Sequence, residues 1–260
     1  MKKKPLILVT NDDGIGAPGI DALVKVAQRF GDVIVVAPDS PQSGQGHAIT
    51  LEHPLRLYKV NLMPGVEAYE CSGTPVDCVK LAKHVVCKDR NIDLCVSGIN
   101  HGSNASINII YSGTMSAAME ASLEGIPSIG FSLLNYRLDA DFKAAEHFAA
   151  DIIENVLEEG LKETLLLNVN IPNLPLDLIK GIKVCRQAEG RWSENFIENT
   201  DPSGRQYYWL TGEFILDDEG DDTDIKALQD GYVSVVPSMH NLTAFPALEK
   251  MKYLNTTTVN

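Results

Sequence analysis

Near the start of the chain, residues 6–14 read Leu6-Ile7-Leu8-Val9-Thr10-Asn11-Asp12-Asp13-Gly14. Four consecutive aliphatic side chains before a threonine are typical of a β-strand that is buried on both faces. Apolar residues recur at helical spacing between residues 20 and 30, and a second continuous apolar stretch covers residues 33–36. Strand, helix and strand in this order, with uniformly apolar strands, predict a parallel sheet covered by helices on both faces.

The alternation of strands and helices continues as far as residue 172. Helices are predicted over 75–86, 116–123 and 141–157, and strands over 93–96, 128–133 and 165–170. We therefore predict that residues 1–172 form a doubly wound, mainly parallel α/β sheet of the Rossmann type, which would be the catalytic core.

The composition changes after residue 172. The segments 191–196 and 206–210 flank a turn-forming Asp201-Pro202-Ser203-Gly204 and predict a long β-hairpin, and a strand is expected later, over 232–236. The acidic run at 217–222 lacks the spacing of a calcium loop, so we expect a solvated loop. Residues 173–260 would then be a C-terminal extension with a tail that frays at 256–258. Its hairpin aromatics would be an exposed patch in a monomer, which favours a homo-oligomer.

The overall composition limits the class of protein. The chain has 260 residues, 44% of them hydrophobic, enough for one domain with a sizeable core. Its formal net charge of -13 would repel duplex nucleic acid, which we exclude as a partner. The five cysteines are odd in number and lack a C-x-x-C pair, which favours a reducing compartment. With no signal-peptide core and no stretch of about 18 apolar residues, we expect a cytoplasmic protein without a membrane partner.

Ligands of open α/β sheets bind beyond the carboxyl ends of the strands, so the loops after the strands are the candidate sites. The first of these loops carries Asp12 and Asp13. Adjacent carboxylates repel one another, and a divalent cation relieves that repulsion. The same loop is also compatible with a simple turn whose side chains cap the following helix. From this loop alone, metal binding and plain turn chemistry are about equally supported.

Three further polar loops follow later strands. Residues 37–47 could offer a hydroxyl ligand, and residues 97–104 offer amide oxygens suited to a hard cation. Ser112, Gly113 and Thr114 precede a predicted helix, where hydroxyls and free N–H groups make a natural phosphate site. The topology brings these loops to one crevice. His101 is either a base or supporting group of that site, or a side chain that hydrogen-bonds within its own loop.

The segment from Gly14 to Gly19 offers a competing interpretation, because it matches G-x-G-x-x-G between a strand and a helix. An NAD(P)-dependent oxidoreductase is therefore one alternative, although Asp12 and Asp13 would place negative charge beside a pyrophosphate. A regulatory protein that binds a nucleotide without turning it over is another. Neither a G-x-S-x-G elbow nor a P-loop is present, which disfavours covalent serine catalysis and NTP hydrolysis.

The polar loops in their order along the chain resemble the SurE family, the survival-protein-E nucleotidases, over nearly the whole sequence. The matching segments are VTNDDG at 9–14, residues 37–44, GTPVDCV at 73–79, SGINHGSN at 97–104, YSGT at 111–114 and GYVSV at 231–235. Each motif is weak by itself, but their joint order is specific.

The resemblance implies a divalent-metal-dependent phosphomonoesterase that hydrolyses nucleoside 5′- and 3′-monophosphates. It implies one Mg²⁺ or Mn²⁺ per subunit, bound by Asp12, Asp13, Ser43 and Asn100. It also implies a homodimer or homotetramer formed by exchange of C-terminal segments, with the hairpin and its arginines near a neighbouring subunit.

We expect Asp12, Asp13 and Asn100 to be catalytic. The residues expected to contact the phosphate are Asn11, Gly44, Asn104, Ser112, Gly113 and Thr114. Asp12 acts either as a ligand only, as a general base or as a nucleophile. The sequence also leaves open the preferred base, the sugar position, activity on oligonucleotides or polyphosphate, and dimer against tetramer.

Overall fold

The computed structural model of the chain describes residues 4–61, 63–137 and 139–255, so the tail at 256–258 lies outside the described residues. The strands are β1 (Leu6–Thr10), β2 (Asp32–Pro38), β3 (Leu57–Val60), β4 (Glu67–Cys71), β5 (Leu94–His101), β6 (Ser128–Leu133), β7 (Leu166–Ile171), β8 (Ile182–Val184), β9 (Gly190–Thr200), β10 (Gln206–Leu216) and β11 (Val233–Ser238). The α-helices are α1 (Pro18–Ala27), α2 (Pro75–Leu81), α3 (Gly113–Leu123), α4 (Lys143–Glu159), α5 (Asp224–Gln229) and α6 (Phe245–Leu248). Short 3₁₀ segments cover Ser106–Ile110, Leu176–Leu178 and Glu249–Leu254.

One sheet organises the molecule, with the strand order β3-β4-β2-β1-β5-β6-β7-β11-β8. Six central strands are parallel to one another, in the order β4, β2, β1, β5, β6 and β7. Strand β3 runs antiparallel to β4, and β11 runs antiparallel to β7. Strands β9 and β10 form a separate antiparallel hairpin. The predicted fold class, a mainly parallel doubly wound α/β sheet with a C-terminal hairpin, is confirmed. The use of that hairpin in oligomerisation stays a prediction.

Helices cover both faces of the sheet, as the apolar strands require. In β1, Ile7 and Val9 belong to the core that contains α1 and α4, whereas Leu8 belongs to the core that contains α2 and α3. Successive side chains of a strand point to opposite faces, so an uninterrupted aliphatic run is needed where both faces are dry. All three side chains are fully buried.

Several elements have bounds that differ from the prediction. Helix α3 begins at Gly113 instead of 116, because the Ser112 hydroxyl accepts the N–H of Met115 at 3.0 Å and caps the helix three residues earlier. Strand β5 continues to His101 instead of ending at 96, so the polar segment expected as a loop is partly strand. The helix predicted over 75–86 is α2 followed by a π-helical turn, Ala82–Val86.

The segment after residue 172 returns to the same sheet through β8 and β11. The backbone N–H of Ser106 donates to the buried Asp224 of α5 at 2.8 Å, which ties this segment to the rest of the fold. A division of the chain into a core and an extension at residue 172 stays a prediction. No helix in the described ranges is both long and apolar enough to cross a membrane.

The acidic run at 217–222 is a largely exposed loop, as predicted from the sequence, and part of its charge is paired. Arg186 donates to Asp218 and to Asp222, each at 2.9 Å, so two of these carboxylates neutralise one arginine. Ion pairs within the chain also engage the other two arginines of this region, Arg191 with Asp217 and Arg205 with Asp201.

Candidate active site

Polar loops from four elements meet at the carboxyl edge of the sheet. The backbone N–H of Ile15 donates to the carbonyl of Pro38 at 2.8 Å, and that of Gln42 donates to the carbonyl of Asp12 at 2.7 Å, so the loops after β1 and β2 are held together. Strand β5 pairs with β1 up to Thr10 and Ser97, which brings the end of β5 to the same place. The start of α3 completes the group through Thr114, as described next.

Asp12 is the most buried acidic group of the site, with only 4% of its surface exposed. The hydroxyl of Thr114 donates a short hydrogen bond to its carboxylate. Gly113 packs against the same side chain so closely that a Cβ there would lie 2.6 Å from the Cβ of Asp12. Burial, opposed by the Thr114 hydrogen bond and reinforced by the charge of Asp13, raises the pKa of Asp12 to about 6.

Asp13 is more open to solvent and is oriented by His101. Its carboxylate lies 3.1 Å from the Nδ1 atom of His101 and 3.4 Å from the backbone N–H of the same residue. The His101 ring packs edge-to-face on Phe142, with 5.2 Å between the ring centroids. The ring thus reaches out of its own loop to a carboxylate of the candidate site, which argues against a hydrogen bond within the loop and leaves both a base and a supporting group open.

Asn11 and Asn100 flank the carboxylate pair. The side-chain amide of Asn11 donates to the carbonyl of Gly14 at 2.9 Å, and its oxygen is buried without a hydrogen-bond partner among the described residues. The amide of Asn100 donates to the carbonyl of Gly102 at 2.9 Å, which orients its oxygen away from that bond. Both side chains therefore have oxygen atoms to offer a ligand.

Ser43 and Gly44 lie on an exposed turn directly after Gln42, the residue that is bonded to the backbone of Asp12. Gly44 has a φ of +74°, in the left-handed region that favours glycine. The backbone hydrogen bond of Gln42 keeps this turn close to the backbone of Asp12, and the roles of Ser43 and Gly44 in binding stay predictions.

The N-terminus of α3 is partly used by the protein itself. The Ser112 hydroxyl caps the helix, and Thr114 holds Asp12. The first N–H groups of a helix have no partner within the helix. The N–H of Thr114 is directed at the Asp12 carboxylate, whereas the backbone at Gly113 offers a donor for an anion. The direct contact between Thr114 and Asp12 was not predicted from the sequence.

Asn104 lies in a different environment from the other predicted site residues. It is buried, its backbone N–H donates to Asn170 at 2.8 Å, and its side-chain amide donates to Ser132 at 2.8 Å. Asn168 in turn donates to its carbonyl at 2.8 Å. These bonds give Asn104 a place in an amide network between β6, β7 and the loop after β5, and a contact with phosphate stays a prediction.

A second polar cluster, absent from the sequence-based prediction, lies further along α3. Glu120 is 4% exposed and accepts hydrogen bonds from Lys80 and from His47, the latter at 2.8 Å. Burial by itself would raise the pKa of Glu120, but the hydrogen bonds from Lys80 and His47 outweigh it and lower the pKa. The cluster fixes the loop that carries Ser43 to the same helix whose first turn holds Asp12. A lone glutamate among small residues was the only sequence signal.

The chemistry of these donors fits a hard divalent cation. Two carboxylates, a side-chain amide oxygen and a serine hydroxyl are oxygen ligands of the kind that Mg²⁺ and Mn²⁺ prefer. The raised pKa of Asp12 shows that its burial next to Asp13 is unfavourable to its ionised form without a counter-charge. Among the described residues there is no group of three or more His, Cys, Asp or Glu side chains arranged to hold a metal.

The fold is that of a doubly wound α/β protein with a cluster of oxygen-bearing side chains at the carboxyl edge of its sheet. The family model described as Survival protein SurE matches residues 7–194. Relatives named 5′-nucleotidase SurE are 62% identical in Christiangramia forsetii, over 94% of both chains, and 57% identical in Cytophaga hutchinsonii, over 95% of this chain and 96% of the relative. The crystal structure of the SurE protein from Aquifex aeolicus has a TM-score of 0.82 and 41% identity, and the match covers 96% of this chain and 99% of that one. The chain belongs to the SurE family.

Proposed function

We propose that this chain is a 5′-nucleotidase, a divalent-metal-dependent phosphomonoesterase that releases phosphate from nucleoside 5′-monophosphates and also from 3′-monophosphates. The observation that carries the proposal is the buried Asp12 carboxylate beside Asp13, at the point where the start of α3 meets the loops after β1, β2 and β5. The nucleotidase names of relatives at up to 62% identity over nearly the full length support the same activity.

One Mg²⁺ or Mn²⁺ per subunit would be held by Asp12, Asp13, Ser43 and Asn100. Such a cation supplies charge neutralisation and polarisation of the phosphorus, together with activation of water. His101 keeps the Asp13 carboxylate oriented, and Thr114 keeps that of Asp12 oriented. Supporting hydrogen bonds of this kind commonly affect metal affinity nearly as strongly as the ligands do.

The protein's own contribution to phosphate binding comes from the start of α3 and the nearby loops. The backbone N–H of Gly113, flanked by Ser112 and Thr114, binds the phosphate oxygens that face the helix and stabilises the charge that develops as the alkoxide leaves. Asn11 and Gly44 line the same space. Asp12 serves either as a ligand only, as the base that takes a proton from the attacking water, or as a nucleophile.

The direct test is phosphate release from a panel of nucleoside monophosphates, with Mg²⁺, with Mn²⁺ and with chelator. Asp12→Asn and Asp13→Asn should each lower turnover by at least about a hundredfold, because both carboxylates neutralise the cation. Circular dichroism should show an unchanged fold, and calorimetry should show metal affinity that falls together with activity. Near-normal turnover in either variant would remove the site from this loop.

A second measurement separates hydrolysis from dinucleotide binding and from non-catalytic nucleotide binding. NAD and a nucleoside monophosphate are titrated into the wild type and into Asp12→Asn, with and without Mn²⁺. Metal-dependent monophosphate binding that the variant loses supports the nucleotidase. Metal-independent NAD binding that survives in the variant would support the oxidoreductase, since removing negative charge near a pyrophosphate is favourable. Metal-dependent binding without phosphate release would indicate a regulator.

The chain is further proposed to be a homodimer or homotetramer in which the β9–β10 hairpin contacts a neighbouring subunit. Ile197, Tyr207 and Trp209 share one face of the hairpin and are 50%, 40% and 63% exposed. Such a face is expected to be covered by a partner. Sedimentation at micromolar concentration should give a dimer or tetramer, and a strictly monomeric species would contradict the proposal.

A cytoplasmic location is also proposed. The cysteines Cys71, Cys78, Cys87, Cys95 and Cys185 are all free and buried. Free thiols are the rule in a reducing compartment. Fractionation of the native cells, with detection of the untagged protein, tests this location directly, and recovery in an oxidising compartment would overturn it.

A further inference from the structure

A small cavity of about 290 Å³ lies between the hairpin and the segment that leads into α3. Its walls are Tyr111, Trp192, Glu194, Leu210, Thr211 and Gly212. The volume is at the lower end of ligand sites, which are roughly 300–1,000 Å³. It therefore suits one flat ring system better than a whole nucleotide.

The position of the cavity relative to the catalytic loops is fixed by the backbone. Tyr111 directly precedes Ser112, the cap of α3, and its carbonyl accepts the N–H of Gly46 at 3.3 Å. One residue, Ser112, separates Tyr111 from Gly113, which packs against Asp12, so the Cα atoms of Tyr111 and Gly113 are at most about 7 Å apart. The wall formed by Tyr111 is thus next to the proposed phosphate site along the chain.

The two aromatic walls are held differently. The indole N–H of Trp192 donates to the side-chain oxygen of Asn108 at 2.9 Å, and the ring packs edge-to-face on Phe214 with 5.9 Å between centroids. Tyr111 is held through its backbone, because its carbonyl accepts the N–H of Gly46. Even so, Trp192 and Tyr111 remain 41% and 49% exposed, so both rings still have surface to offer a ligand.

The hairpin face explains why the cavity is open. In the antiparallel register, Glu194 is opposite Gly212, and Phe196 is opposite Leu210, so these residues share the face of Trp192. Gly212 contributes no side chain, which leaves a gap next to Leu210. Glu194 adds an acceptor-only carboxylate that is matched to the amino and ring N–H groups of a base.

We infer that this cavity binds the nucleobase of the substrate, which stacks on Trp192 and Tyr111 while the phosphate occupies the site at the start of α3. This inference rests on the proposed function, because it adds a binding site for the base to the proposed binding site for the phosphate. Aromatic side chains stack on any base, so the cavity selects nucleotides over other phosphomonoesters more strongly than it selects one base.

The test compares adenosine 5′-monophosphate with ribose 5-phosphate, which has the same phosphate and sugar without the base. In Mn²⁺, Trp192→Ala should raise KM for the nucleotide roughly 5- to 150-fold, the range that corresponds to the loss of one stacking contact. Values of kcat/KM for ribose 5-phosphate should stay within about twofold. Tyr111→Ala should act in the same direction from the other wall, and Trp192→Phe should restore part of the nucleotide preference.

Trp209→Ala is the matched control, because Trp209 lies on the opposite face of the same hairpin. It should leave the ratio between the two substrates unchanged, and sedimentation shows whether either variant alters assembly. Equal losses on both substrates in Trp192→Ala, no change in either substrate, or the same ratio shift in Trp209→Ala would overturn the inference while leaving the nucleotidase intact. If the wild type hydrolyses neither substrate, the proposed function fails. The role of the cavity is then tested by calorimetry, in which adenosine 5′-monophosphate should bind the wild type more tightly than Trp192→Ala, and equal affinities would overturn the inference.

Discussion

Replacing Asp12 with asparagine should make the metal-free protein more stable, although it removes the proposed activity. The asparagine keeps the size of the side chain and an oxygen that accepts the Thr114 hydroxyl, but it carries no charge. Because the carboxylate is only 4% exposed and lies beside Asp13, its ionised form is unfavourable in the folded protein.

The magnitude follows from the pKa of Asp12, which is about 6 in the folded protein against an ordinary value of 3.8. Each pKa unit corresponds to about 1.4 kcal/mol, so full ionisation costs the folded state about 3 kcal/mol. Between these two pKa values the folded state binds more protons than the unfolded state. The stability contributed by this group therefore falls as pH rises from about 4 to about 6 and stays low above that window.

The assay is urea unfolding of the wild type and Asp12→Asn in the presence of chelator at several pH values. The variant should exceed the wild type by about 1.5 kcal/mol at pH 5 and by about 3 kcal/mol at pH 8, order-of-magnitude figures from the linkage relation. Adding Mn²⁺ should stabilise the wild type in proportion to its occupancy and should leave the variant unchanged.

Asp218→Asn provides a control of opposite sign. The Asp218 carboxylate accepts hydrogen bonds from Arg186 and from the backbone of Gly220, and the first of these holds its pKa well below the usual range. Its ionised form is favourable, so the asparagine should lower stability. A metal-free Asp12→Asn protein that is no more stable than the wild type at pH 8, while the Asp218 control behaves as expected, would refute the electrostatic account of the site.

Three further predictions concern side chains near the same loops. Gly113→Ala should lower turnover at least about tenfold and cost about 1–3 kcal/mol in urea unfolding, because its Cβ would lie 2.6 Å from that of Asp12. Glu120→Gln should lower the free energy of unfolding by about 1.5–3 kcal/mol, because charged hydrogen bonds are lost. Glu124→Gln, at a residue that pairs with the exposed His84, should change it by less than about 0.5 kcal/mol. Gly16→Ala should leave turnover within about twofold, since nothing lies within 4 Å of an added Cβ, and a large loss in steady-state kinetics would revive the dinucleotide interpretation.

The central strands were predictable because a strand that is buried on both faces has a continuous run of apolar or small residues in the sequence. Strands such as β1 and β6 are buried along nearly their whole length and read as apolar or small residues throughout. Strands β3 and β4 were missed because they are the last two strands at one end of the sheet, where exposed and buried positions mix. β8 was missed for a related reason, since it has only three residues and no buried one.

The convergence of the polar loops was predictable, but the contacts between their side chains were not. Adjacent carboxylates after a buried strand, together with polar loops after later strands, point to one crevice as soon as the strands are parallel. The contact between Thr114 and Asp12 joins residues 102 positions apart, and the one between Glu120 and His47 joins residues 73 apart. No periodicity or spacing encodes which of many hydroxyls or cations reaches which carboxylate, because that depends on how α3 is seated on the sheet.

The glycines at 14, 16 and 19 illustrate how one spacing can arise from a different geometry. Gly14 has a φ of +95°, which a turn directly after the carboxylates requires. A Cβ on Gly19 would lie 2.0 Å from the carbonyl oxygen of Ile99, so glycine is needed where α1 starts against β5. In a dinucleotide site, Gly16 would let a pyrophosphate approach the backbone. Here a Cβ at this position would have open space around it, so the fold does not require glycine. Two of the three glycines are thus explained by the turn and by helix packing, and the motif match alone gives no support to a nicotinamide cofactor.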